Sequence, residues 1–176
     1  MSEELKKHIR SIKDFPKEGI MFRDITTLLL KPEAFSKALD ELLLFTDQLK
    51  IDKVVGIESR GFIFGSLLAQ KLDVGFILAR KPGKLPAETV SATYQLEYGE
   101  DKIEMHKDAI NPGDKVLLHD DLLATGGTAE AVTNLIEKLG GEVVQISFLV
   151  ELSFLNGKDK LAGYDIKSLI VYDDEN

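Results

Sequence analysis

Two adjacent carboxylates, Asp120 and Asp121, follow the run Val116-Leu117-Leu118-His119; two leucines later comes Ala124-Thr125-Gly126-Gly127-Thr128. This last segment has no bulky side chain. Its glycines let the backbone approach a ligand closely, its threonines offer hydroxyls, and a helix starting after it would present unpaired N–H groups. Those are the parts of a phosphate cradle. No lysine follows the glycines, so it is not a Walker loop, and no Gly-x-Gly occurs in the chain, so it is not a dinucleotide fingerprint. The carboxylates would repel a phosphate, so their natural partners are hydroxyls or a metal ion. One phosphate with hydroxyls beside it describes a ribose 5-phosphate. An Asp pair alone would read as a solvated turn at a strand end; the loop and helix start beside it favour a site.

The elements that must position these residues can be read from the apolar pattern. Val54-Val55-Gly56-Ile57, Val74 to Ala79, Val116 to Leu118, Val143 to Val150 and Leu169 to Val171 are short apolar runs. They alternate with helical patterns over Gly61 to Leu72 and Ala129 to Leu139, the latter closed by Gly140-Gly141. This predicts an α/β fold: a mainly parallel twisted sheet covered by helices on both faces, with ligands at the carboxyl ends of the strands. Nearer the N-terminus, Leu5, Ile9 and Ile12 predict a short amphipathic helix. Pro32 opens a second, whose stripe runs through Phe35, Ala38, Leu39, Leu42, Phe45 and Leu49. Arg80 to Asp108 breaks the rhythm and reads as an excursion ending in a hairpin. It is too long for a connector and is a candidate lid, which few buried contacts are expected to hold.

The 176 residues carry 22 Lys+Arg against 30 Asp+Glu, a net charge of −8, which disfavours a nucleic-acid partner. Cysteine is absent, so no disulfide framework or thiolate zinc site is possible. No stretch has the length of a membrane span, and the acidic start lacks the regions of a signal peptide. A single cytoplasmic domain over 1–176 is the expectation. His8, His106 and His119 are scattered, and neither His-Glu-x-x-His nor Gly-x-Ser-x-Gly is present, which disfavours hydrolase readings.

The stretch Val116 to Thr128 resembles the phosphoribosyl diphosphate motif of the type I phosphoribosyltransferases, and Leu122 to Thr128 is similar to the adenine-specific branch. Four more segments agree in order: Phe15-Pro16 through Gly19 to Phe22-Arg23-Asp24-Ile25, Gly56 to Phe62, Arg80 to Pro86, and Leu96-Glu97-Tyr98-Gly99; Val150-Glu151-Leu152 follows. The resemblance implies that Ala124, Thr125, Gly126, Gly127 and Thr128 hold the 5-phosphate and that Asp120 and Asp121 hold the ribose hydroxyls. It implies that Ser59 and Arg60 receive pyrophosphate, with Lys81 and Lys84 adding positive charge from the lid. Phe22 would stack on adenine, backbone groups of Met21 and Arg23 would reach its edge, and Leu152 would pack on the opposite face; plain core packing is the alternative for Phe22 and Leu152. Glu97 is the candidate for moving a proton of the base, against an ordinary exposed hairpin charge.

The family's reaction implies transfer of the 5-phosphoribosyl group to adenine, giving AMP and pyrophosphate. The family also implies Mg²⁺ carried on the substrate with few or no direct protein ligands, and a symmetric homodimer. It also implies an N-terminal hood over 1–35 at the base site and a lid over 80–108. A regulator on this fold would be expected to carry a basic face or DNA-binding extension, and a 6-oxopurine enzyme a purine-facing lysine. Synthesis of phosphoribosyl diphosphate shares the cradle but needs a longer chain. One departure stands out: before the acidic pair the family usually has an apolar residue, here His119. Either it titrates beside the carboxylates, or strand alternation turns it into packing against a helix.

Overall fold

The computed structural model describes residues 3–95 and 100–175. The chain opens with one helical turn, α1 (Glu3–Lys6), and then pairs β1 (Arg10–Lys13) antiparallel to β2 (Met21–Asp24), setting Ser11 against Arg23 and Ile12 against Phe22. The helix expected through Ile12 is therefore cut short. Leu5 and Ile9 are buried as the spacing requires, but residues 10–13 find a long-range strand partner that outweighs local helical preference. A further turn, α2 (Thr26–Leu29), leads into α3 (Pro32–Leu44), with Pro32 in its first turn. That helix stops short of Leu49: the Thr46 hydroxyl donates to the Leu43 carbonyl at 2.7 Å, and Gln48 has φ +67°.

The sequence then enters the sheet: β3 (Lys53–Ile57), α4 (Gly61–Leu72) and β4 (Gly75–Ala79) form one parallel β-α-β unit. After a hairpin of β5 (Thr89–Gln95) and β6 (Glu100–His106) come β7 (Lys115–Leu123), α5 (Gly127–Lys138), β8 (Glu142–Leu152) and β9 (Ile166–Tyr172). Five strands make the parallel sheet, in the order β4-β3-β7-β8-β9. Its inner strands β3, β7 and β8 are buried on both sides, which is why they read as continuous apolar runs. On one face Val55, Val116, Leu118 and Phe148 pack with Val132, Leu135 and Ile136 of α5. On the other, Val54 and Leu117 pack with Leu39 and Leu42 of α3 and Phe64 and Leu68 of α4. The chain runs from β3 outward to β4 and then resumes on the other side at β7. The carboxyl ends of β3 and β7 therefore flank the switch point at which such sheets bind ligands.

Two expectations need correction. The strand carrying the acidic pair does not end before it: β7 continues through Leu123, with Asp120 paired to Phe148 and Leu122 to Val150. The hairpin, too, is not held by few contacts. Tyr94, Ile103 and Met105 are buried in the core on the α5 side, and Arg80 forms a bridge to Glu104. The alternation that made it look like a hairpin is the alternation that gives it a buried face. Its tip, including Leu96, Glu97, Tyr98 and Gly99, lies outside the described residues.

Candidate active site

A cavity of about 360 Å³ opens at the carboxyl ends of β3 and β7. Ser59, Arg60, Lys81, Asp120, Asp121 and the whole of Ala124 to Thr128 line it, so the small-residue loop and the acidic pair converge with three of the residues that the family resemblance implies for pyrophosphate. Glu58, Tyr94, Ile103 and Phe148 are also part of its wall. These four were not singled out from the sequence: Ile103 and Phe148 carry only an apolar signal, and Tyr94 arrives through the hairpin. Met21, Phe22, Arg23, Lys84 and Leu152 lie outside the lining.

The cradle is built from backbone. Gly126 occupies the cap of α5 with φ +79°, a conformation that costs glycine little, and a Cβ there would sit 2.3 Å from the Gly157 carbonyl oxygen. Gly157 in turn packs on the Ala124 carbonyl, where its own Cβ would come within 2.2 Å. A 3₁₀ turn over Gly157–Leu161 thus braces the loop from behind. No side chain caps the start of α5, so its first N–H groups remain available to an anion.

The acidic pair is packed closely. A Cβ on Gly61 would lie 2.7 Å from Asp120 Oδ1, so glycine is what admits that carboxylate to the N-terminus of α4. The Asp121 N–H donates to Asp120 Oδ1 at 2.8 Å, and Arg60 Nε meets Asp121 Oδ2 at 2.8 Å. Burial and then the neighbouring Asp121 charge push the Asp120 carboxyl well above the ordinary range. Burial raises Asp121 also, with Arg60 opposing it. The pair is held at a cost that a ligand with hydroxyl donors or a cation would relieve.

Around the rim, cations are paired with carboxylates. Lys81 Nζ contacts Asp101 Oδ2 at 2.8 Å, which also accepts from the Tyr94 hydroxyl at 3.2 Å. The hydrogen bond from Asp101 raises the Lys81 pKa and keeps it charged. Lys84 Nζ lies 3.8 Å from Glu58 Oε1. The Arg60 guanidinium stands 5.1 Å from the centre of the Phe22 ring, which links the N-terminal hairpin to the cavity, and Phe15 packs edge-on against Phe22 at 5.1 Å. Met21 and Phe22 are half-buried. The Arg23 side chain goes elsewhere: it is buried, bonded to Ser11 Oγ, and its guanidinium stacks 4.0 Å over the Tyr172 ring. Leu152 is half-buried at the end of β8, paired with Tyr172 and packed into the α3–α4 side of the core.

His119 lies away from the cavity. It is fully buried on the Phe64 side of the sheet, 6.4 Å from that ring, with Nδ1 2.9 Å from Ser147 Oγ. Burial alone pushes its pKa down to about 3, so it is neutral. Strand alternation has turned it out of the site, and it is a packing residue.

A parallel sheet with a phosphate cradle and an acidic pair at its switch point defines a class. The chain belongs to the phosphoribosyl transferase family, whose domain model matches residues 27–172. Within that family it is similar to adenine phosphoribosyltransferases. That of Christiangramia forsetii is 61% identical over 169 residues, covering 96% of this chain and 99% of that protein. The crystal structure of the Thermoanaerobacter pseudethanolicus enzyme superposes with a TM-score of 0.95 at 54% identity, covering 97% of this chain and 99% of that one. The Saccharomyces cerevisiae enzyme, crystallised with adenine and an imino-altritol bisphosphate, superposes at 0.89 with 42% identity, covering 94% and 96%.

Proposed function

We infer that this chain transfers the 5-phosphoribosyl group of 5-phospho-α-D-ribose 1-diphosphate to adenine, giving AMP and releasing pyrophosphate. The observation that carries this reading is a single cavity lined at once by the Ala124–Thr128 cradle, the Asp120–Asp121 pair and the cations Arg60 and Lys81. Backbone N–H groups at the start of α5 take the 5-phosphate, and Asp120 and Asp121 accept from the ribose hydroxyls. Ser59, Arg60, Lys81 and Lys84 take the diphosphate and stabilise the negative charge it gains as its bond to C1 breaks. That bond breaks early, leaving an oxocarbenium-like sugar that N9 of adenine attacks; holding the two reactants in line supplies most of the acceleration.

Phe22 stacks on the base, backbone groups of Met21 and Arg23 read its edge, and Leu152 covers the other face. The stack of Arg60 on Phe22 supports this, because it ties the proposed base platform to the proposed diphosphate site. The N-terminal 1–35 segment thus serves as a hood. Within 80–108 the described part of the lid is the Lys81–Pro86 turn, and Glu97, outside the described residues, is the candidate for moving a proton of the base. The exclusion of water by this lid protects the sugar cation from hydrolysis.

Mg²⁺ would arrive on the diphosphate with few or no direct protein ligands, and the Asp120 and Asp121 carboxylates that line the same cavity are hard oxygen donors compatible with it. When bound, Mg²⁺ neutralises the diphosphate and improves it as a leaving group. A symmetric homodimer and action in the cytoplasm, both carried by the family resemblance, belong to the same reading. A turnover assay with phosphoribosyl diphosphate and a panel of purines tests it: adenine should be used far better than hypoxanthine, guanine or xanthine. Comparable use of a 6-oxopurine would overturn the choice of base.

A further inference from the structure

Glu58 lines the cavity beside Ser59 and Arg60, where its charge would repel the diphosphate, and no step above uses it. Its oxygens are already engaged. Arg80 donates to both, Nη2 to Oε1 at 3.0 Å and Nε to Oε2 at 3.3 Å, in a fork-to-fork pairing. The Lys81 N–H donates to Oε2 at 2.9 Å, and Lys84 Nζ stands 3.8 Å from Oε1. Burial pushes the Glu58 carboxyl up, but the bonds from Arg80 and Lys81 outweigh it and hold the group below the usual range, so it is charged at neutral pH. The backbone around it is stitched to the same neighbours: the Glu58 N–H donates to the Ala79 carbonyl at 2.9 Å, and Arg80 exchanges two backbone hydrogen bonds with Glu104 of β6 at 2.9 and 2.7 Å. Arg80 Nη1 also donates to the Lys84 carbonyl at 3.1 Å, closing the turn that carries both lysines.

Resting on the phosphoribosyl reading above, we propose that Glu58 is a positioning residue for the diphosphate subsite, acting through Arg80 to hold the Lys81–Lys84 turn in its binding geometry. A planar guanidinium pinned at two oxygens has one orientation; it meets the turn at its Lys84 end, while Gly83 N–H donates to Glu104 Oε2 at 3.2 Å and Lys81 Nζ to Asp101 Oδ2 at 2.8 Å. Without the carboxylate, the ordering of that turn would have to come out of the binding free energy of the diphosphate. Adenine binding, which does not use the turn, would be spared.

The test compares wild type, Glu58→Gln, Arg80→Met and the double variant. Pyrophosphate binding with Mg²⁺ is read by calorimetry, and KM is measured separately for phosphoribosyl diphosphate and adenine. Glu58→Gln should weaken pyrophosphate binding and raise KM for phosphoribosyl diphosphate by about tenfold, with adenine KM within about twofold and the melting temperature nearly unchanged. The double variant should be no worse than Arg80→Met alone, as expected when one residue acts through the other. Additive losses, an equal rise in adenine KM, or unchanged pyrophosphate binding in Glu58→Gln would overturn the proposal. Calorimetry keeps this separate from the functional reading: a wild type that binds pyrophosphate but makes no AMP refutes the activity and leaves Glu58 testable. A wild type that does not bind pyrophosphate overturns the proposal.

Discussion

Replacing Asp120 with asparagine should make the protein more stable and less active. Asp120 is packed against Gly61 at the end of β7, next to a second carboxylate, and Arg60 pairs with Asp121 rather than with Asp120. Burial and the Asp121 charge raise its folded pKa well above the unfolded value. The folded chain therefore holds more protons than the unfolded chain between those two values, and stability falls as pH rises through that window. Asparagine keeps the oxygen that accepts the Asp121 N–H and removes the charge. At pH 7 the gain should be about 1–2 kcal/mol, on the scale of other substitutions that relieve a strained functional site. For a chain of this length that is a rise in melting temperature of about 2–8 °C.

The gain should shrink as pH falls through about 4 and disappear below about pH 3, where the aspartic acid is protonated in both states. Catalytic efficiency should fall about 10²-fold or more, the loss of a charged acceptor to a ribose hydroxyl. Asp121→Asn should lose as much activity with less gain in stability, because it strips Arg60 of its partner. Thermal scans at several pH values with steady-state kinetics decide it. An Asp120→Asn protein that melts below wild type at pH 7, or gains equally at both pH values, would refute the reasoning.

His119→Val should leave the pH profile of catalytic efficiency between about pH 6 and 8 superimposable on wild type, because the imidazole is neutral and on the far side of the sheet. A titration step lost in the variant would return His119 to the site. Gly126→Ala should lower stability by about 1–3 kcal/mol and weaken phosphate binding, since it strains φ +79° and drives a methyl into the Gly157 carbonyl; a neutral melting temperature would contradict the bracing described. Lys84→Ala and Glu97→Gln should each slow turnover with little change in melting temperature, Lys84 being an exposed side chain. Loss of stability in step with activity would argue against a lid.

How much of this was legible depends on where each signal resides. The five sheet strands announced themselves because parallel strands are apolar on both faces, and α4 was read to the residue from Gly61 to Leu72. The cradle was legible because its chemistry is local: two glycines, two threonines and a helix start fall within a few residues. The β1–β2 hairpin was not, because its strands are short and polar, and Arg23 finds Tyr172 about 150 residues away only in the fold. The extent of β7 was missed because Asp120 and Asp121 look like a strand end, yet they continue a ladder with β8. Glu58 carried no signal of its own, since what distinguishes it is the arrival of Arg80 and Lys81 from the next strand.

The central claim is that the cavity binds phosphate and ribose in register with a base stacked on Phe22 beside it, and a crystal structure of the protein with AMP tests it most directly. The account predicts the 5-phosphate on the backbone N–H groups of Thr125 to Thr128, the ribose hydroxyls on Asp120 and Asp121, and adenine stacked on Phe22. A nucleotide whose phosphate sits on Arg60 and Lys81 instead, with the acidic pair left untouched, would contradict it.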